Sequence, residues 1–507
     1  MAFNNDPRFG PGKSVAVIGA GIGGVSAAAY LLKEGLSVTV FERSGVGGGI
    51  WHFDERIPKD PPYPNEKPSH GDYEVSQRGE FANPTPPPEP ADNVKQDNSN
   101  VNVDIEVSFA PPGPCYAGLT NNIPTSVLVN SLGPWPAGTE ETISQELAEK
   151  YINGLASDHG VTAVTQFNTR VDEIKPTPDN SAWEIRTVSL EKRPTGSIRL
   201  KERLHFFNLV VVATGHYSTP RIPSFPGLPE LKAAFPNRIL HSKQYRRPEP
   251  FRGQNVLVIG AGVSSSDICK ELAPTADKVY QSVRGGAYDT PPHLLPASTI
   301  RVGPISSFQP PQTPSDETFT INLHSRDTPL TNIHTIILAT GYITSYPFLS
   351  HLHSDTTPST SATPTTLVAQ GGDMVHNLHQ DIFYIPNPTL AFIGVPYHAA
   401  AFTLFGFQAQ VLAKVFAGKA TLPTEEGMRE VYKKKVQEKG LGRAFHSLAG
   451  KGVEVGYVRG LVEWVNRDGE ELGLGEKVEG VSEDWVIGYE AFKGRVEEEW
   501  FRGRERG

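Results

Sequence analysis

Hydrophobic and polar positions fall into strong patterns at several places along the chain. Residues 14–18, SVAVI, are an unbroken apolar run; VSAAAYLLKEG follows as a small-residue helix ending near Gly35, and SVTVFE completes a second strand by residue 42. An unbroken apolar run is what a strand covered on both faces requires, so these pieces predict a strand–helix–strand unit with parallel strands. The pattern dissolves between 56 and 114, where 13 of the 44 prolines fall in runs such as PPYP and PTPPPEP. A long irregular surface insertion is expected there. Periodicity returns with a helix over 141–157, strand pairs around 162–188, and the apolar strand NLVVVATG at 208–215. PRIPSFPGLPE then reads as a linker. A second strand–turn–helix unit opens at Asn255, and HTIILATGY supplies another apolar strand at 334–342. Nine of the thirteen residues at 354–366 are Ser or Thr, which marks a solvated loop. The last eighty residues carry mixed charges on apparent helices, including Lys433, Lys434 and Lys435, and these read as solvated faces.

The chemistry sits in two near-identical turns, VAVIGAGIGG at 15–24 and VLVIGAGVSSSD at 256–267. In the first, Gly19 permits the tight bend, Gly21 lets the backbone approach a pyrophosphate, and Gly24 allows close helix–strand packing, with Gly23 beside it. The helix that follows offers free N–H groups and the positive end of its dipole. Glu42, ending the next strand, can accept hydrogen bonds from a ribose diol. The second turn keeps Gly260 and Gly262 but has Ser265 at the third glycine position, and its next strand ends in Ser282 and Arg284 instead of an acid. A carboxylate there would repel a 2′-phosphate, whereas Arg can bind one, unless Arg284 serves only a surface ion pair. The Ser264 hydroxyl meets a phosphate or caps the helix; the GxSxG elbow of a hydrolase is missing. The first site therefore suits the adenosine half of FAD and the second suits NADPH. Two such turns in one chain point to hydride transfer into a flavin.

Size and composition narrow the remaining choices. The chain has 507 residues, enough for two or three domains, and its net charge of -9 favours neither nucleic acid nor an anionic membrane. Cys115 and Cys269 are its only cysteines and form no CxxC pair, so no disulfide framework or dithiol centre is expected and a cytoplasmic location fits. The beginning, MAFNNDPRFGPGK, shows no apolar signal segment. The most apolar stretch, 389–407, contains Pro396 and His398, and no membrane span is expected. His351 with His353, and His376 with His379, lack acid or cysteine partners at metal spacing, so no metal site is expected.

On these residues the chain resembles the class B flavin-containing monooxygenases of soluble microbial and fungal type, over most of its length. GAGIGG with Glu42 looks like that family's FAD turn, and GVGGGIW, with Gly49, Ile50 and Trp51, resembles its GGxW segment near the flavin. YAGLTNNIP at 116–124 is similar to YxxLxTNxP, which puts Asn122 on the family's asparagine beside the flavin ring and NADP, next to Asn121. The ATG strands at 213–215 and 339–341 match those that leave and re-enter the FAD domain. FPNRILHSKQY at 235–245 resembles FxGxxxHxxxY, and GAGVSSSD, with Ser264, Ser265 and Asp267, resembles the NADPH turn. Asn237 stands for a glycine and Asn121 for a threonine of the family patterns. Tyr245 occupies a place where Baeyer–Villiger relatives usually carry Trp, which favours heteroatom oxygenation.

The resemblance implies an α/β fold of two Rossmann-like dinucleotide-binding domains. The FAD domain would comprise 1–216 and 331–507, with the NADPH domain inserted at 217–330. It also implies an activity: NADPH reduces FAD, O2 adds to give a C4a-hydroperoxyflavin, and one oxygen passes to nitrogen or sulfur of a small amine or thioether. Asn122 would be the catalytic residue. Baeyer–Villiger oxygenation of a ketone is the alternative within the class, and a non-catalytic FAD- and NADPH-binding sensor or scaffold is the alternative outside it. The oligomeric state, monomer or homo-oligomer, stays open.

Overall fold

A computed structural model describes residues 6–81, 99–194, 196–286, 289–309, 318–324, 326–474 and 476–501. Two parallel sheets organise these residues. In the first, Ser14–Ile18 lies between Ser37–Phe41 and Leu209–Val212, with Thr165–Gln166 beyond the former. Leu390–Phe392 and two short antiparallel strands extend the other edge. Val15, Val17, Val210 and Val211 are wholly buried, because helices cover one face and a three-stranded antiparallel sheet covers the other. The helices are Ile22–Lys33, which follows the first turn, and Ala401–Phe416, which packs beside it.

The second sheet is parallel throughout, in the order Thr299–Val302, Lys278–Ser282, Asn255–Ile259, Thr335–Leu338, Ile239–His241. Thr335–Leu338 pairs here, Leu257 opposite Ile336, although the sequence reading returned the chain to the first domain at 331. The inserted domain therefore runs past that boundary. The chain passes between domains at a two-stranded ribbon, Thr219–Pro220 against Tyr342–Ile343, secured by Arg221 N–H donating to Gly341 O at 2.9 Å.

The expected irregular surface insertion also needs correction. Residues 99–109 form a helix whose Phe109 is buried against Val188 and Leu190; residues 82–98 lie outside the described residues. Residues 55–73 are a strap stretched across both domains. Asp72 is buried and forms a bidentate pair with Arg43 of the first domain (2.8 and 2.9 Å), while also accepting from Lys243 Nζ of the second at 2.8 Å. Burial alone would raise its carboxyl; the two cations hold it well below the ordinary range. Farther along the strap, Asp60 accepts from Lys232 and Gln244, and Asn65 bridges to Ile222.

The 389–407 stretch is the strand Leu390–Phe392 followed by the start of the buried helix Ala401–Phe416. Among the described residues no helix is long and apolar enough to cross a membrane. Most of the Ser/Thr-rich segment 354–366 is exposed or half-buried.

Candidate functional site

At the carboxyl edge of the first sheet the glycines do separate jobs. Gly19 has φ +104°, and a Cβ there would stand 2.8 Å from Ala213 O; at Gly24 a Cβ would overlap Gly19 O. Both positions are closed to any side chain by the protein itself. Gly21 differs: an added Cβ would find Gly49 Cα at 3.5 Å, an ordinary contact, so its glycine leaves room outward from the turn. At Gly23 a Cβ would press on Ile393 at 3.1 Å. Gly48 N–H donates to Ala20 O at 3.0 Å, which lays the Gly49–Trp51 helical turn over the glycine turn, with Ile50 exposed and Trp51 half-buried. Glu42 is oriented by three bonds, from Ala20 N–H at 2.8 Å and from Ser44 N–H and Oγ–H at 2.9 Å each. A cavity of about 240 Å³ opens beside the turn, lined by Ala20, Val25, Gly47, Asn153, Thr165 and Phe167 among others.

The second turn repeats the design with a difference. Gly260 has φ +126°, and a Cβ there would collide with Ala339 O, whereas around Gly262 there is open space. Ser264 is exposed at the start of the helix Val263–Leu272. Ser265 is not available to a phosphate: buried under the turn, its hydroxyl donates to Gly260 O at 2.6 Å and accepts from Gln281 Nε2 at 2.9 Å. Ser282 is likewise committed, donating to Gly303 O at 3.0 Å, and Asp267 accepts from the Tyr116 hydroxyl at 3.0 Å. Arg284 is exposed and makes no hydrogen bond to any described residue. One basic residue the sequence reading missed stands nearby: Arg301, on the adjoining strand, binds Gln281 Oε1 at 3.0 Å and Thr290 O. No motif marks it, because its neighbours are brought together only by strand pairing.

Asn121 and Asn122 separate sharply. Asn121 spends its whole amide on backbone, donating to Ile123 O and Glu141 O and accepting from Ile143 N–H at 2.6 Å, so it shapes the loop instead of meeting a cofactor. Asn122 is exposed, and its amide bonds to no described residue. The same loop runs past Trp51, whose carbonyl lies 3.7 Å from Cys115 Sγ, and Trp51 meets the Phe402 ring edge-on at 6.0 Å. The GGxW-like and YxxLxTNxP-like segments are therefore neighbours.

His241 is wholly buried and stays neutral, since burial pushes its imidazole down to about 3. Nδ1 accepts from Lys243 N–H at 3.1 Å, leaving Nε2–H to donate to Gly341 O at 3.0 Å. It is a hinge brace between the second sheet and the returning ribbon. Tyr245 is also interior, its hydroxyl on Glu271 at 2.7 Å, so it does not face a substrate and cannot itself select one. Of the residues 397–410, Phe402, Leu404 and Phe407 belong to the core, while His398 is exposed with φ +58° and pairs with Ser447 Oγ at 2.9 Å. Among the described residues no three His, Cys, Asp or Glu side chains are grouped to hold a metal ion.

Comparison with known proteins adds ancestry to this geometry. The flavin-binding monooxygenase-like family profile matches residues 116–290, and that of an NAD(P)-binding Rossmann-like domain matches residues 17–70. The flavin-containing monooxygenase ustF2 of Aspergillus flavus is 40% identical over 508 aligned residues, covering 94% of this chain and 97% of its own. This chain belongs to the flavin-containing monooxygenase family. Within it, the flavin-containing monooxygenase iboF of Amanita muscaria is 31% identical over 90% of this chain and 88% of its own. Senecionine N-oxygenase of Tyria jacobaeae is 27% identical over 83% and 75%. Among solved structures, the fold is similar to S-allyl-L-cysteine S-oxygenase from Allium sativum, with TM-score 0.66 and 22% identity over 96% of this chain and 93% of that one. Cyclohexanone monooxygenase aligns at TM-score 0.54 and 13% identity over 93% and 100%. The cofactors of this monooxygenase are FAD and NADPH. The turns fit such groups, because the space into which a Cβ on Gly262 would project is open among the described residues and a Cβ on Gly21 would make only ordinary contact with Gly49.

Proposed function

We propose that this flavin-containing monooxygenase uses NADPH and O2 to transfer one oxygen atom to a nitrogen or sulfur atom of a small molecule. The observation that carries the reading is Asn122: an exposed amide with no bond to a described residue, on a loop that the Asn121 and Thr125 side chains hold in place. Bound FAD, once reduced, supplies the oxygen-activating chemistry. The chain's residues do the rest. Gly19, Gly21, Gly24, Glu42 and the Gly49–Trp51 turn would hold FAD, Glu42 taking the ribose diol with the lone pairs that Ala20 and Ser44 leave free. Gly260, Gly262, the amides opening the helix at Val263, and Ser264 would hold the NADPH pyrophosphate, with Arg284 at the 2′-phosphate. Asn122 would orient the nicotinamide amide and the reacting centre by hydrogen bonding, while Trp51 and Phe402 exclude water from it.

The N- or S-oxygenating reading is supported by the N-oxygenase relative at 27% identity, against 13% for the ketone-oxygenating neighbour. A panel of tertiary amines, thioethers and cyclic ketones, with NADPH consumption, peroxide release and product mass followed together, tests it. Products one oxygen heavier from amines or thioethers are expected. Lactones from the ketones, or peroxide alone with every compound, would overturn it. Asn122→Ala should raise the peroxide released per NADPH several-fold, and an unchanged ratio would remove Asn122 from the mechanism.

A further inference from the structure

The segment that presents Asn122 is fastened to both domains, one on each side. Upstream it belongs to the inserted domain: Arg246 donates to Gly113 O at 3.2 Å and Cys115 O at 3.4 Å, and Ala117 N–H donates to Arg246 O at 3.0 Å. Tyr116 and Leu119 enter the apolar cluster of Tyr245, Phe251, Ile268 and Leu272. Downstream it belongs to the first domain, where Gln145 N–H donates to Leu119 O at 3.0 Å, Thr120 bridges to Ser144, and Asn121 locks onto Glu141 and Ile143. Asn122 sits just past the crossing.

Beside Arg246, the upstream side is gripped by one helix, Val263–Leu272, the helix that opens at the second glycine turn. Asp267 and Glu271 are one turn apart on the same face. Asp267 receives the Tyr116 hydroxyl at 3.0 Å, and Glu271 receives the Tyr245 hydroxyl at 2.7 Å while its Oε1 lies where a Cβ on Gly118 would have to be. The two tyrosine rings meet edge-on at 5.8 Å. Burial pushes both carboxyls up, yet among the described residues neither faces a cation closer than Lys270, 3.9 Å from Asp267. A half-buried acid pair whose hydrogen bonds come from phenols is a costly way to pack a helix, and apolar residues would pack it as well. What phenol–carboxylate bonds add is a fixed direction and separation.

We propose that Tyr116, Asp267 and Glu271 are positioning residues that tie the placement of Asn122 to the nucleotide turn. The inference rests on the role given to Asn122 above. The helix is a rigid lever of about 13 Å from Gly262 to Glu271: nucleotide engaged at its N-terminus fixes the helix, and its acid face fixes the loop that carries the amide. Nucleotide binding and loop placement then share one coupling free energy, and loosening the link must weaken both.

The test uses the FAD-loaded enzyme with Tyr116→Phe, which removes one hydroxyl, and with Glu271→Gln as a second variant. Flavin content should stay within about twofold of wild type, because neither residue touches the first turn. The peroxide released per NADPH should rise several-fold, and the dissociation constant for NADP+ should rise several-fold with it. If Asn122→Ala raises peroxide release while both Tyr116→Phe and Glu271→Gln leave peroxide and NADP+ affinity unchanged, the link is refuted and the function stands. If Asn122→Ala changes nothing, the role of Asn122 fails, and NADP+ affinity alone decides: a weakened constant in Tyr116→Phe upholds the tie between turn and loop, and an unchanged one overturns it. Should Glu271→Gln fail to load FAD, Tyr116→Phe decides in the same way.

Discussion

Gly262→Ala separates a ligand cradle from a packing constraint more cleanly than any other single change here. The residue has ordinary backbone angles, φ -82° and ψ -174°, and a Cβ added to it would meet no atom of the described residues within 4 Å. The free enzyme should therefore accept alanine with its thermal midpoint and flavin content unchanged, because removing a glycine at a compatible backbone position costs nothing and restrains the unfolded chain. A bound pyrophosphate is in a different position. A methyl group in its path displaces it from the backbone N–H groups of the turn, and each hydrogen bond to a charged group contributes about 1.5–3 kcal/mol. Loss of one such bond predicts a dissociation constant for NADP+ raised about 10- to 150-fold. Gly260→Ala is the contrast, since its Cβ would collide with Ala339 O at φ +126° and destabilise the domain before any ligand arrives. Titration of NADP+ into the oxidised, FAD-loaded protein by calorimetry, beside thermal unfolding, gives both readouts. Unchanged NADP+ affinity in a well-folded Gly262→Ala protein would show that the dinucleotide does not approach this turn.

Three further outcomes check other parts of the argument. Asp72→Asn leaves Arg43 and Lys243 facing a neutral group in the interior, a change that costs about 3–5 kcal/mol when a buried pair loses one partner; a thermal midpoint within one degree of wild type would deny the strap its bracing role. Ser265→Gly should lower stability by about 1 kcal/mol through loss of the bonds to Gly260 and Gln281, yet leave NADP+ affinity unchanged, and a weakened affinity would put that hydroxyl back at the phosphate. Glu454 is buried where Ala400 N–H and the Tyr489 hydroxyl donate to it, and burial pushes its carboxyl from 4.5 up to about 7. A raised pKa means that the folded state holds the proton more tightly, so this contribution to stability is complete below pH 4.5 and is lost as the pH climbs through 7. Relative to Glu454→Gln, wild type should lose up to about 3 kcal/mol between pH 4.5 and 7.5, and parallel pH profiles of thermal unfolding for the two proteins would contradict it.

Both glycine turns were legible because their demands are local: a φ of +104° or +126°, a carbonyl pressed against Cα, and an apolar strand just before. What the hydroxyls and carboxyls near the second turn do was not legible. Ser265 answers to Gln281 and Asp267 to Tyr116, partners 16 and 151 residues away, and no periodicity encodes such distances. The domain boundary at 331 failed for a related reason. HTIIL reads as a buried strand in either sheet, and only the pairing of Ile336 with Leu257 and Ile239 assigns it. Proline content exposed the 56–114 segment as irregular but hid its purpose, because Asp72 acquires its two cations from positions 29 and 171 residues away.

The ribbon of Thr219–Pro220 and Tyr342–Ile343 brings the two ends of the inserted domain side by side, Pro220 opposite Tyr342. A domain whose termini meet is a cassette: it can be cut out or exchanged at one seam without stretching the host, and the host sheet closes whichever guest it receives. Contacts outside the seam decide whether a guest works. A transplanted domain would need its own counterparts to Lys243, Lys232, Gln244 and Arg246 to greet the strap, and to Asp267 and Glu271 to greet the loop. Compatibility between halves of such chimeras should therefore be written in these side chains of the guest and not in its nucleotide turn.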